Sequence, residues 1–203
     1  MFSLIYGLVE FALRKEEFHV LVLGLDKAGK TNAVERLKTQ LTDLVGLDPA
    51  RIVPTVGLNV ARFEAFGTNL VIWDLGGAPG LRAIWDKYFA DSHAVIFVVD
   101  AAAPERWDEA AAAFERVAAS RELGGAPVLV LANKQDAGGA AGMAEVAERF
   151  GLTGAAAGAP RRGAPCIVQP SSAHTGQGLN DGMKWLIEAV KKSPRRRLVP
   201  QNT

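Results

Sequence analysis

The sequence has one cysteine, almost no net charge and no apolar run long enough to cross a bilayer. With Cys166 alone there can be no intramolecular disulfide, and a cysteine-based zinc site has too few ligands. A reducing, cytosolic setting follows, with Cys166 as a buried structural thiol. Lys and Arg number 23 against 22 Asp and Glu, a formal net charge of +1, which removes the bulk-charge case for a nucleic-acid binder. AVIFVVDAAA (94–103) is short for a membrane span and carries Asp100, so it reads as a buried core strand. MFSLIYGLVEFALRK (1–15) has no basic residue before its apolar part and holds Glu10 inside it, unlike a secretory signal. What is present suits a globular fold: 203 residues, 49% hydrophobic, are enough for one domain with a sizeable core.

Residues 2–14 have the period of an amphipathic helix. Ser3, Gly7, Glu10 and Arg14 form a thin polar or small stripe, and Phe2, Leu4, Ile5, Leu8, Val9, Phe11 and Leu13 fill the wide remaining face. Such a helix can pack permanently on its own domain; the width of the face and its aromatics favour one that also meets a membrane or a partner. From residue 18 strands and helices alternate. FHVLVLG, AVIFVVD, APVLVLANK and APCIVQPSS read as core strands, and helices are expected near 30–44, 81–90, 104–120, 142–150 and 179–192. GLNVARFEAF and NLVIWDL, joined by the polar GTN, read as an antiparallel hairpin. The expected fold is therefore α/β: three layers around a mostly parallel sheet with one antiparallel hairpin, and a ligand at the carboxyl ends of its strands. The expected organisation is an N-terminal helix (1–16), a ligand-binding domain (17–192) and a basic flexible tail (193–203). TGAAAGAPRRGAP (153–165) is expected to be a mobile surface loop. The tail, beyond the helix-discouraging Pro194, reads as solvated, with attraction to anionic lipid as the lesser alternative.

GLDKAGKT (24–31) follows a strand and precedes a helix, the context required of the phosphate-binding pattern G-x-x-x-x-G-K-[ST]. Gly24 and Gly29 allow the amides of Asp26, Lys27, Ala28 and their neighbours to converge on phosphate oxygens at a helix N-terminus, with Asn32 alongside. Lys30 offers a point charge to β- and γ-phosphates, and Thr31 a hydroxyl to Mg²⁺. Asp74, ending a strand, is placed to hold the Mg²⁺ shell through water. Gly77 can bring its N–H to a γ-phosphate with no Cβ in the way, and Thr55 is the second candidate hydroxyl. LVLANKQD (129–136) supplies Asn133, which can tie this loop to the phosphate-binding loop, Lys134, whose stem can lie along a base, and Asp136. A carboxylate at Asp136 can accept from both N–H groups of a guanine edge, a pairing adenine cannot offer. Ser172 and Ala173, in SSAHTGQGL, form the opposite wall, with the Ala173 N–H available to the guanine 6-oxo group.

In these segments the chain resembles a Ras-superfamily small GTPase of the Arf branch, over residues 1 to about 192. GLDKAGKT, PTVGLNV, WDLGG, FVVDA and NKQDA stand in the family's order and spacing, and the apolar residue at position 2, VGLN and IWDKY resemble the Arf-related subgroup, which sits at the trans-Golgi. The resemblance implies a GTP/GDP switch using Mg²⁺, monomeric when free, acting with an exchange factor, an activating protein and effectors. Leu58, Trp73 and Tyr88 fall at the family's effector-reading hydrophobic triad, although on the bare sequence Trp73 and Tyr88 are ordinary core aromatics. It also implies peripheral attachment to the cytosolic face of Golgi membranes, through the N-terminal helix and an integral Golgi membrane receptor.

Departures at four residues qualify it. Phe2 replaces the glycine that N-myristoylation requires. Lys27 and Asn32 differ from the commoner residues beside the phosphates. Ala78 stands where the family has the glutamine that aligns the attacking water, so GTP binding is expected to persist while hydrolysis becomes very slow. A nucleotide-gated scaffold without meaningful turnover is the competing reading; a P-loop kinase is disfavoured by NKQD.

Overall fold

The structure, a computed structural model, describes residues 15–42, 46, 53, 55–153, 160–161 and 163–198. The expected N-terminal helix, with Phe2, Leu4, Ile5, Leu8, Val9 and Phe11, lies outside these residues. Strands β1 (Glu17–Leu23), β2 (Leu58–Ala65), β3 (Thr68–Leu75), β4 (Ala94–Asp100), β5 (Val128–Asn133), β6 (Pro160–Arg161) and β7 (Ala164–Pro170) form a sheet in the order β2-β3-β1-β4-β5-β7-β6. Helices α1 (Lys30–Leu41), α2 (Trp107–Ala119), α3 (Met143–Arg149) and α4 (Leu179–Lys192) cover its two faces.

Strands β1, β3, β4 and β5 are buried because they are apolar on both faces, whereas much of the edge strand β2 is exposed. In β1, Leu21 and Leu23 face the core beneath α2 and α3, whereas Val20 and Val22 face the core beneath α1 and α4. Helix α4 shows the complementary pattern: Leu179, Gly182, Met183, Leu186, Ile187 and Val190 are buried at steps of three and four. Strands β1, β3, β4, β5 and β7 are mutually parallel, and β2 pairs antiparallel with β3 from Leu58–Leu75 to Ala65–Thr68. The expected hairpin is thus present.

Several segments differ from the sequence reading. Instead of an α-helix near 81–90, a 3-10 helix spans Pro79–Tyr88; Pro79 at its first turn has no N–H to leave unpaired. Another 3-10 turn, Pro104–Arg106, precedes α2. Within the stretch expected to be a mobile loop, Pro160–Arg161 pairs antiparallel with Ala164–Pro165. The tail is not simply solvated: Pro194–Arg197 form a 3-10 turn, and Arg195 donates to the carbonyls of Phe89, Ala90, Ser92 and Glu122. Five donors on one planar guanidinium make arginine suited to such a cluster of carbonyls. At the same edge, His93 Nδ1 accepts from the His19 N–H at 2.9 Å, and its Nε2 therefore carries the proton that bonds Leu198 O at 3.1 Å. Burial, with His19 adding to it, lowers the His93 pKa to about 4.

Candidate functional site

Parallel strands bring their carboxyl ends together, so the segments following β1, β3, β5 and β7 gather at one end of the sheet. A cavity of about 450 Å³ lies there, lined by Asp26, Lys27, Gly29, Lys30, Thr31 and Asn32 of the first loop and α1. Val53, Thr55, Gly77, Ala78 and Lys134 complete the wall.

Gly29 adopts φ 92°, and a Cβ there would lie 2.5 Å from Asn133 Nδ2, so the bend into α1 requires glycine on both counts. The Asn133 side chain explains that closeness. Its Nδ2 donates to Ala28 O at 2.8 Å and its Oδ1 accepts from the Ala173 N–H at 2.8 Å, tying the first loop to the segment after β7. The bond to Ala28 is the expected tie between the loop after β5 and the first loop, and the second bond engages the Ala173 N–H with Asn133 in this structure. Ala28 is buried, with its carbonyl toward Asn133.

Lys30 is 6% exposed and donates to Leu25 O at 2.8 Å. Burial lowers its pKa to about 8, only partly opposed by Asp74 and Asp26. Beside it, Thr31 Oγ1 donates to Asp74 Oδ2 at 2.6 Å and lies 2.9 Å from Thr55 Oγ1, which is itself 3.4 Å from the same carboxylate oxygen. Asp74 is fully buried, its pKa raised by that burial against the opposing hydroxyls and Lys30. Its Oδ1 has no hydrogen-bond partner among the described residues. Two hydroxyls and a carboxylate with one orphaned oxygen are hard donors of the kind Mg²⁺ takes alongside phosphate oxygens and water. The three metal-site candidates of the sequence therefore do meet.

On the far side, Lys134 has φ 70° and its Nζ pairs with Asp100 Oδ2 at 2.6 Å, which holds the stem along the cavity wall. Asp136 accepts from Ser172 Oγ at 2.5 Å, the main cause of its lowered pKa, so its carboxylate stays charged as an acceptor.

The turn after β3 lies directly on the first loop. A Cβ on Gly77 would lie 2.4 Å from Gly24 O and Leu25 C, and 2.5 Å from Asp26 N. An ionic network missed by the sequence reading surrounds this turn. Arg106 donates to Asp26 O and Oδ1, both at 2.8 Å; Glu109 accepts from Arg106 at 3.2 Å and from Arg82 at 2.6 Å; Arg82 Nε donates to Gly77 O at 2.7 Å. The Arg106 bond is also the chief reason the Asp26 pKa is lowered. Asp26 and Arg106 stand 80 positions apart, and no local motif announces such a pair.

Of the hydrophobic triad, Leu58 is 36% exposed, next to Val56 (86%) and Val60 (37%) on the edge strand side. Trp73 is 4% exposed and in the core, with its ring edge-on to His19 and Tyr88 at centroid distances of 4.6 and 5.4 Å. Since β3 is flanked by β1 and β2, an inward residue there is covered by the 3-10 helix.

A model of the ADP-ribosylation factor family matches residues 5–190. The chain is 39% identical over 197 residues to human ADP-ribosylation factor-related protein 1, covering 97% of this chain and 96% of that one. It is 35% identical to ADP-ribosylation factor-like protein 3 of Saccharomyces cerevisiae, over 97% of this chain and 98% of that one. Among solved structures, the Arl6 BBS3 small GTPase of Trypanosoma brucei with bound nucleotide analogue GppNp superposes with a TM-score of 0.72 at 30% identity, over 87% of this chain and 98% of that one. The P-loop, the hydroxyl–carboxylate cluster and these likenesses agree: the chain is a small GTPase of the ADP-ribosylation factor family.

Proposed function

We propose that this chain is a guanine-nucleotide switch that binds GTP or GDP with Mg²⁺, hydrolyses GTP very slowly and recruits effectors to Golgi or related membranes in vesicle trafficking. The observation that carries the reading is the meeting of Thr31, Thr55 and Asp74 beside buried Lys30, with Asp74 Oδ1 left without a partner. The Thr31 and Thr55 hydroxyls would hold Mg²⁺, with Asp74 supporting it through water. When bound, the ion neutralises charge on the β- and γ-phosphate oxygens. Lys30 moves its ammonium from Leu25 O to those phosphates, and the Gly77 N–H donates to the γ-phosphate. Asp136 accepts from the guanine edge while Lys134, fixed by Asp100, covers the base. Ala78 lines the same cavity with a methyl group that can neither donate to nor accept from water, which leaves hydrolysis slow.

Effector reading falls to Leu58 with its exposed neighbours Val56 and Val60, and to Tyr88 and Trp73 once the hairpin moves. The N-terminal segment, with Phe2, Leu4, Ile5, Leu8, Val9 and Phe11, supplies apolar contact with the membrane, and a protein receptor the second signal. Removing residues 1–14 abolishes recruitment and leaves guanine binding intact; a truncated chain still found on membranes overturns that part.

The test of the whole reading is the nucleotide that co-purifies with the chain and its dependence on Mg²⁺. Guanine nucleotide released by chelation supports it, and tight ATP binding contradicts it. Ala78 also favours a second reading, a nucleotide-gated scaffold without meaningful turnover. Single-turnover phosphate release, compared between the chain and Ala78→Gln, separates the two.

A further inference from the structure

In the turn Gly76–Ala78 all three backbone acceptors are taken, and of its donors the Gly76 N–H bonds Gly57 O at 2.9 Å. Gly76 O accepts from Trp85 Nε1 at 3.0 Å, Gly77 O from Arg82 Nε at 2.7 Å, and Ala78 O from the Leu81 N–H at 2.8 Å. The N–H groups of Gly77 and Ala78 have no hydrogen-bond partner among the described residues, and both residues line the 450 Å³ cavity. A trans peptide is planar, with its C=O and N–H pointing in opposite directions. Holding Gly76 O therefore aims the Gly77 N–H, and holding Gly77 O aims the Ala78 N–H.

Trp85 is a rigid, buried anchor. Arg82 is not rigid by itself; its second contact makes it so. Its Nη2 donates to Glu109 on α2 at 2.6 Å, and Glu109 also holds Arg106, which grips Asp26 by its carbonyl and carboxylate. One chain of charge-assisted bonds thus joins the turn, α2 and the first loop. The Arg82 side chain is only 14% exposed, so solvent competes weakly for its donors.

We propose that Arg82, braced by Glu109, is a positioning residue that aims the Ala78 N–H, beside that of Gly77, at the terminal phosphate of a nucleoside triphosphate. The inference rests on the nucleotide reading above and adds a second amide to the triphosphate-specific contacts. It also gives residue 78 a role despite its side chain: a backbone donor oriented from behind. A diphosphate has no group at that place, so the arrangement sets preference between the two nucleotides and not overall affinity.

The experiment compares the affinities of the full chain for GppNp and for GDP, in wild type, Arg82→Ala, Arg82→Lys and Glu109→Gln. Arg82→Ala lowers GppNp affinity by about tenfold or more, the effect of one lost charge-assisted bond, with GDP affinity unchanged to within about twofold. Arg82→Lys recovers little, because one ammonium cannot serve Gly77 O and Glu109 with the geometry of a fork. Glu109→Gln gives a smaller loss of the same sign. Equal losses for both nucleotides, or an unchanged ratio, overturn the proposal. If Arg82→Ala does not fold, an unchanged ratio in both Arg82→Lys and Glu109→Gln does the same. Failure of the wild type to bind either guanine nucleotide instead overturns the nucleotide reading, and with it this one.

Discussion

Replacing Gly77 by alanine tests how closely the turn after β3 must approach the phosphate loop. The added Cβ would lie 2.4 Å from Gly24 O and Leu25 C and 2.5 Å from Asp26 N, all backbone atoms that cannot rotate away. Ordinary contact begins near 3.4 Å, so the turn has to retreat by about 1 Å. A retreat of that size takes a hydrogen bond of about 2.9 Å out of its effective range. The bond at stake, from an N–H to a charged phosphate oxygen, contributes about 1.5–3 kcal/mol. GppNp affinity is then expected to fall roughly 10- to 150-fold, with GDP affinity almost unchanged. Titration with fluorescent analogues of both nucleotides in saturating Mg²⁺ reads the two constants separately. Wild-type GppNp affinity in Gly77→Ala would refute the reasoning, as would a matching loss for GDP.

Three further outcomes follow from other parts of the molecule. Ala78→Gln restores a water-orienting side chain, and single-turnover phosphate release is expected to rise about 10²-fold; an unchanged rate removes the explanation of slow turnover. Lys30 titrates near 8 when buried without a phosphate, below the 10.5 of an exposed lysine, so the unfolded chain binds more protons between these values. Stability without nucleotide therefore rises as pH increases from about 8 towards 10.5, while nucleotide affinity falls above pH 8 because binding requires the ammonium; calorimetry across this range checks both signs. His93 is held neutral down to about 4 against an ordinary 6.5, so stability falls as pH drops from 6.5 to 4. His93→Gln should flatten the fall of melting temperature in that window, and an unaltered slope assigns the acid sensitivity elsewhere.

The parts of the fold that rest on short-range pattern were legible. The apolar run of β4 and the three-and-four spacing along α4 each give an element almost to the residue, because burial on both faces or one is written in the sequence. The same holds for GLDKAGKT, whose function depends on local spacing, and for Asn133, whose reach to the phosphate loop was expected. Contacts between distant segments that no motif announces were not legible. Arg82, Glu109 and Arg106 look like ordinary solvated charges, and only the parallel topology brings them to Asp26. Arg195 likewise looked like part of a soluble tail until four carbonyls surrounded it. The bond from the Ala173 N–H to Asn133 Oδ1 is likewise not written in the sequence, because a donor's nearest acceptor comes from a segment 40 positions away. Residue 73 is the opposite case: the bare sequence reads Trp73 as a core aromatic, and at 4% exposed it is one.

The central claim is that Thr31, Thr55, Asp74 and Lys30 form a Mg²⁺-dependent site for a guanine nucleotide. Equilibrium binding of GTP, GDP and ATP to the full chain, with Mg²⁺ and with a chelator, tests it most directly. Both guanine nucleotides should bind tightly with Mg²⁺ and weaken on chelation, with ATP failing to compete. Binding of ATP as tight as that of GTP, or guanine binding indifferent to Mg²⁺, would contradict the account.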